Sequence, residues 1–424
     1  MTGLKIELRF SLLPSLACRK YEAMVASPHV PDRPTWRPAD SGPEVELLLG
    51  CARATVDSQR AARLQTLIAE GLDWEYLLRL ADRHGLQPLL HWHLNACCAE
   101  SIPSAHRDYL RLAFQRVSAL NIFLTHELQR LLKLFADQGI EAVPYKGPAL
   151  AEQLYGNVAL RQFSDLDILV HPRDVTNAKE ILLAEGYAPL PALTDGQQAV
   201  LLRTQCNLPF TREHNRLIVE LHWTVSAPNF ARPFEAEAFW GSLEDGSLAG
   251  TIIKRPATEH LLLSLCIHGS KHLWERLAWI SDLAGLIDQN EGLDWQQLIR
   301  TARATGNERM LSLGLRLAVD LLGAKLPQEI EETLNNDEMV PALAAGVRRY
   351  LFTPEFTPSG VAGYFRFQLK ARRRLRDKVK YVRFAFSPTE EDLVRIDLPA
   401  SLSFIYYLVR PVRLVVAGSP SHFH

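Results

Sequence analysis

The chain has 424 residues, 47% of them hydrophobic and 22% charged, with a formal net charge of −1. That composition is globular and supplies two to three units of roughly 150 residues each, while the near-zero charge argues against any global attraction to nucleic acid or an anionic membrane. Six cysteines, Cys18, Cys51, Cys97, Cys98, Cys206 and Cys266, are thinly spread without CxxC spacing, which argues against a disulfide framework or a zinc ribbon and for reduced thiols in the cytoplasm.

The N-terminal MTGLKIELRFSLLPSLACRK is a poor secretory signal, because Lys5, Glu7 and Arg9 interrupt the approach to its apolar stretch and Pro14 breaks it. No apolar run approaches the ~20 residues of a bilayer span, so a soluble, cytoplasmic protein is expected. Residues 1–43 are assigned to an irregular extension, rich in proline and polar residues from Met24 to Pro43. Helices are predicted next. EVELLLGCARA, AARLQTLIAEG, DWEYLLRLADRHG, QPLLHWHLNACC and the long HRDYLRLAFQRVSALNIFLTHELQRLLKLFADQG repeat apolar residues every three or four positions, with Gly71, Gly85 and Gly139 as stops. They form a helical subdomain over residues 44–138.

The period then changes. IEAVPYKG (Ile140–Gly147) reads as a short strand, PALAEQLYG as a helix, SDLDILVH as a strand, and DVTNAKEILLAEGY as a helix capped by Asp174 and stopped by Gly186. CNLPFTRE and RLIVELHWTV follow as an antiparallel pair about the turn-like His214-Asn215. An α/β module therefore occupies residues 139–230. From Phe234 onward only helices are predicted, over residues 231–345. The main one is TEHLLLSLCIHGSKHLWERLAWISDLAGLIDQ, read as one stripe through Leu262, Cys266, Leu273, Leu277, Ile280, Ala284 and Ile287. A basic and apolar helical region fills residues 346–424.

Strand alternation puts Asp165 and Asp167 on one face, and groups Ile218, Glu220 and His222 on one face of the later strand. Carboxylates at the edge of a core require a compensating cation. Hard oxygen donors of this kind suit Mg²⁺ or Mn²⁺, which complete their shells with water and substrate phosphates. Two such ions about 3.5–4 Å apart clamp both oxygens of an in-line phosphoryl displacement. An isolated Asp-x-Asp on a surface strand is common, but here Lys146-Gly147 precedes it and an acid on a second strand follows.

Other candidates carry two readings each. Lys146 offers a point charge to phosphate, and the N–H groups around Gly147 and the next helix, with Pro148 in its first turn, suit anionic oxygens; the plain alternative is a loop lysine beside a turn glycine. Arg161 either neutralises a triphosphate or pairs with an aspartate. Ser164 either binds phosphate or caps the strand, and His222 either touches substrate or metal or bonds a backbone carbonyl. His268 and His272 have the i,i+4 spacing of a zinc pair without the His-Glu-x-x-His pattern, and with Lys271 and Arg276 they are read as a polar edge on adjoining faces of one helix. Nine Lys/Arg residues face one acid, Asp377, in RFQLKARRRLRDKVKYVRF. This is either a solvated helix surface or, over Arg366–Arg383, a seat for an anionic partner such as RNA backbone or lipid.

The segments YKGPALAEQLYG, LRQFSDLDILVHPRDVTNAKEILLAEGY and RLIVELHW together resemble the nucleotidyltransferase fold of the DNA polymerase β superfamily, specifically its poorly characterised bacterial branch. The resemblance is strongest over residues 140–224 and extends loosely to HGSKHLWERLAWISDLAGL; the Arg161-x-x-Ser164-Asp165-x-Asp167 pattern also resembles toxin-type nucleotidyltransferases. It implies an α+β fold, mostly α overall, with a small mixed-sheet core flanked by helical regions. It further implies that Gly147 lies in the triphosphate turn, that Asp165 and Asp167 bind a divalent metal, that Glu220 completes the site, and that Lys271 and Asp282 face the cleft. The chain departs from many members in having Lys146-Gly147-Pro148 in place of Gly-Ser, a longer gap from Gly147 to Asp165, and glutamate as third acid. The expected activity is metal-dependent transfer of a nucleoside monophosphate from an NTP, with ATP the expected donor, to a small-molecule, peptide, protein or RNA acceptor. Catalytic and metal roles fall to Asp165, Asp167 and Glu220, and nucleotide binding to Lys146, Gly147, Arg161, Ser164 and Lys271. A non-catalytic nucleotide-binding or scaffold protein of the same fold is the alternative.

Overall fold

Residues 42–213, 217–352, 360–396, 398 and 400–410 are described in the computed structural model of the chain; the extension up to residue 41 and the turn at His214-Asn215 lie outside the described residues. The periodic segments fold as α1 (Pro43–Cys51), α2 (Ser58–Glu70), α3 (Trp74–Arg83), α4 (Gln87–Cys97) and the long α5 (Ser104–Asp137). Side-chain caps set two of the starts, Asp57 accepting from the Arg60 N–H and Asp73 from the Tyr76 N–H.

The α/β module runs β1 (Ala142–Pro144), α6 (Gly147–Tyr155), β2 (Leu166–Val170), α7 (Val175–Ala184), β3 (Ala188–Pro189), α8 (Asp195–Thr204), β4 (Asn207–Arg212) and β5 (Leu217–His222). The sheet order is β1-β2-β5-β4-β3, with β2 and β5 parallel and the other pairs antiparallel. Leu166, Ile168 and Val170 of β2 and Leu217, Val219 and Leu221 of β5 share a core with Leu124, Leu128, Leu131 and Phe135 of α5. Each such side chain contributes roughly 1.5–3 kcal/mol when fully buried, so the register is firmly set and the alternate residues are committed to the opposite face. Asp174 takes the N-cap position of α7 as expected, at the end of a 3₁₀ turn, but its side chain makes no capping bond.

Beyond α9 (Ala236–Trp240), the expectation of helices alone is corrected by a hairpin of β6 (Glu244–Leu248) and β7 (Thr251–Arg255). Its two-residue turn, Ala249-Gly250, has φ of 45° and 81°, the sense that matches strand twist. Only Leu248 and Ile253 tuck into the core while Ile252 is 79% exposed, which leaves little alternation to read.

The remaining helices are α10 (Thr258–Lys271), α11 (Leu277–Gln289), α12 (Trp295–Thr305), α13 (Glu308–Leu322), α14 (Gln328–Asn335), α15 (Met339–Leu351), α16 (Gly360–Lys370), α17 (Leu375–Phe386) and α18 (Glu390–Arg395). The single helix predicted over TEHLLL…LIDQ is two. At the break Leu273 and Trp274 have φ of 55° and 59°, and the Trp274 N–H bonds back to the Gly269 carbonyl at 2.7 Å. The indole then covers Gly269, where a Cβ would fall 2.5 Å from the ring. Full burial of a tryptophan offsets the cost of two left-handed residues. Helices from both flanking stretches pack in one hydrophobic cluster.

His84, at the end of α3, is fully buried, and its Nδ1 accepts the Leu277 N–H of α11 at 3.2 Å. Burial, with Arg83 nearby, lowers its imidazole from 6.5 to about 3. The unfolded chain therefore binds this proton more readily, and stability falls as pH drops below 6.5. At about 1.4 kcal/mol per pH unit, unfolding at pH 5 should cost roughly 2 kcal/mol less than at pH 7.5 through this group. Urea midpoints at the two values measure it, and a slope that His84→Asn fails to flatten contradicts the assignment.

The basic segment is divided in use. Arg372 is 1% exposed, donates to the Gln368 and Phe230 carbonyls at 2.6 and 2.7 Å, and lies 4.2 Å from the Tyr381 ring centroid; it pins α16 to α17 and is not offered to a partner. Arg374 pairs with Glu308 at 3.3 Å, whereas Arg373, Arg376 and Arg383 are exposed. Among the described residues no helix is long and apolar enough to cross a membrane.

Candidate active site

Parallel pairing sets Asp167 opposite Glu220 and Leu169 opposite His222. Since Ile168, Val219 and Leu221 take the core face, Asp167, Glu220 and His222 point together to the other. His222 Nε2 lies 3.0 Å from Asp167 Oδ1 and 3.1 Å from Glu220 Oε2, and one ligand atom from each residue lies within 4.8 Å of the others. This closest set differs from the predicted acidic trio by containing His222. Asp165 adjoins it, directly ahead of β2 rather than inside it. Asn207, paired with His222 across β4 and β5, donates to Glu220 Oε2 at 2.9 Å. The Tyr145 hydroxyl sits 3.3 Å from His222 Nδ1.

Lys146 Nζ is 3.5 Å from Asp167 Oδ1 and 3.3 Å from His268 Nδ1. Gly147 opens α6 at φ +52°, and a Cβ there would meet the Asp165 carbonyl at 3.3 Å; glycine lets the Lys146 turn lie against the Asp165 backbone. Arg161 pairs with Asp282, Nε to Oδ1 and Nη2 to Oδ2 both at 3.0 Å, with Asp282 1% exposed. Of its two predicted readings the aspartate pairing is the one found, and Asp282 is buried in that pair instead of facing a cleft. Ser164 is exposed, and Lys271 is half-buried at the end of α10.

The charges are strongly perturbed. Burial would raise the Asp167 carboxyl, but the Lys146 ammonium and the His222 hydrogen bond outweigh it and hold the group well below the usual range. Asp165 is half-buried, and desolvation with the charges of Asp167 and Glu220 pushes it up to about 7; its side chain makes no hydrogen bond or ion pair among the described residues. Burial opposes a charge on His222, yet its bonds to Asp167, Cys206 and Glu220 raise it well above its ordinary value. His268 is driven well below its ordinary value by burial and by Lys146, so its Nδ1 is free to accept from the ammonium. Asp167, Glu220 and His222 lie close enough together to hold a metal ion, and with the carboxylate of Asp165 beside them the donor set is rich in the oxygen ligands that hard divalent cations take.

Several neighbours escaped the sequence reading. Tyr145 was overlooked although it precedes Lys146. Asn207 was recoverable only from the hairpin register. Glu390 had no local signal: Gln205 Nε2 donates to the Pro388 carbonyl at 2.9 Å, which brings α18 against the sheet, and burial with the charge of Glu220 pushes the Glu390 carboxyl up to about 8 while Lys271 lowers it.

No curated protein matches the chain. One solved structure, the antibiotic-resistance factor ANT(2'')-Ia in solution, is similar over 55% of this chain and 92% of its own, at 14% identity and a TM-score of 0.27, an overlap too low to bear on site or substrate. A family described as uncharacterised nucleotidyltransferase matches residues 70–323, a span from the end of α2 to the end of α13 that includes the sheet, the acid cluster and the Arg161–Asp282 pair. With more than half of the sequence matched, the chain belongs to this family of uncharacterised nucleotidyltransferases.

Proposed function

We propose that the protein is a metal-dependent enzyme that moves a nucleoside monophosphate from an NTP, with ATP the expected donor, to a hydroxyl or phosphate acceptor. The observation that carries this reading is the meeting of Asp167 and Glu220 across two parallel strands, with Lys146 beside them and the unpartnered Asp165 alongside. Asp165, Asp167 and Glu220 would hold Mg²⁺ or Mn²⁺, which when bound supplies Lewis-acid polarisation of phosphoryl oxygens. Lys146, held between Asp167 and the neutral His268, turns its ammonium to the phosphates, aided by the N–H groups around Gly147. The acceptor oxygen bonds to the α-phosphorus, the bond to the bridging oxygen breaks, and pyrophosphate leaves with that electron pair. Glu220, its side chain 30% exposed and bonded by Asn207, would serve either as a ligand to that metal or, alternatively, as the base that takes the proton of a hydroxyl acceptor. Arg161 serves as support through Asp282, and Lys271 as a further cation at the rim.

The test is incubation with α-labelled NTPs and Mg²⁺ or Mn²⁺ in pools of metabolites, peptides and RNA. The expected result is a mass gain of one nucleoside monophosphate on an acceptor, lost on chelation. Nucleotide binding without transfer in any pool would favour the non-catalytic binding protein instead.

A further inference from the structure

Three rings crowd the side of the site that Lys146 reaches. His268 and His272, one turn apart at the end of α10, have centroids 4.6 Å apart, and Trp279 in the first turn of α11 lies 5.0 Å from His268 and 5.5 Å from His272. All three are partly exposed, unlike Trp274, which is sealed in the core. Two independent links fix this wall against the acidic strand. Lys146 Nζ touches His268 Nδ1 at 3.3 Å. Asp282, one turn beyond Trp279 on α11, holds Arg161, whose charge is felt by both Asp165 and Asp167. Among the described residues no third ligand joins His268 and His272 in a group that could hold a metal ion, and the face of Trp279 adds little to binding a bare phosphate. Joined to an ammonium that faces phosphates, the wall suits a flat ring carried on a phosphate chain.

We propose that His272 and Trp279 form the seat of the nucleobase, on which the donor's base stacks while its phosphates run past Lys146 toward Asp165 and Asp167. This rests on the transferase reading above and specifies its donor side. Every base has a π-face, so the seat fixes where the donor lies more than which base it carries. The shared cation argues for the donor over the acceptor: the wall and the phosphate-facing ammonium are in direct contact, which places the ring and the phosphates on one molecule.

Calorimetric titration with ATP, CTP and inorganic tripolyphosphate in the presence of Mn²⁺ tests this without an acceptor. Trp279→Leu should weaken ATP and CTP binding by about 5- to 100-fold and leave tripolyphosphate affinity at the wild-type value; Trp279→Phe, which keeps a ring, should restore most of the loss. If Trp279→Leu does not fold, His272→Ala serves, with the same selective loss expected. ATP affinity unchanged in the variants, or lost in equal measure with tripolyphosphate, overturns the seat. Wild-type protein that binds neither ATP nor tripolyphosphate overturns the transferase reading itself.

Discussion

Asp165→Asn is expected to abolish nucleotidyl transfer and, in the same protein, to raise the melting temperature of the metal-free chain at pH 8. The carboxyl stands at about 7 in the fold against an unperturbed 3.8, raised by burial, Asp167 and Glu220. The folded state thus binds this proton more tightly than the unfolded one, and stability declines as pH rises from about 4 to 7. Above that window an ionised Asp165 faces two other acids, and an amide removes the repulsion. Loss of a metal-holding carboxylate should cost on the order of 10³-fold in rate, about 4 kcal/mol of transition-state stabilisation. Asp167→Asn should also abolish transfer but lower the melting temperature. Its carboxyl is held below the usual range by Lys146 and His222, so the stability it contributes is present above the unfolded value near 3.8, is lost as pH falls, and is removed by the amide. Thermal melts with and without Mn²⁺ check both variants: Mn²⁺ should stabilise wild type by mass action and Asp165→Asn far less. Asp165→Asn melting below wild type at pH 8, or retaining transfer, would refute the assignment.

Asp282→Ala is expected to destabilise the chain by roughly 3–5 kcal/mol, because it leaves the guanidinium of Arg161 buried without its partner. The pair is bidentate, with side-chain exposures of 12% for Arg161 and 1% for Asp282. It ties α11 to the loop that delivers Asp165. Replacing both partners with apolar residues, Arg161→Met with Asp282→Leu, should recover much of the stability, since the desolvation cost of both charges vanishes. Urea denaturation of the two variants measures this. A loss below about 1 kcal/mol in Asp282→Ala would mean that Arg161 finds water or another acid.

The acid cluster was largely legible in the sequence because period-2 alternation is a local rule. It assigns Asp167 to one face of β2, with Asp165 just ahead of that strand, and Glu220 with His222 to one face of a second strand. That rule is silent on which strands become neighbours. The parallel pairing of β2 with β5 is what brings Asp167 opposite Glu220, and the same pairing seats His222 between the two carboxylates, where the sequence reading had left its role open. The break after Lys271 was invisible for a related reason. The 3.6 period carries through Leu273 and Leu277, and only the packing of Trp274 on Gly269 and Gly314 shows why the chain turns back there. Arg372 was misjudged in the same way, since a run of arginines gives no hint that one of them is enclosed by Phe230 and Tyr381.

By itself the sequence determined the helix-rich composition, the strands β1, β2, β4 and β5, and the Lys146-Gly147 turn and acids of the candidate site, because each of these depends on residues within a turn or two of one another. Only the tertiary structure decided which charges pair. Arg161 goes to Asp282, and Lys146 bridges Asp167 and His268. The physical reason is that a buried charge is stabilised by whatever opposite charge the packing of apolar faces brings near it, and that packing joins segments with no relation along the chain.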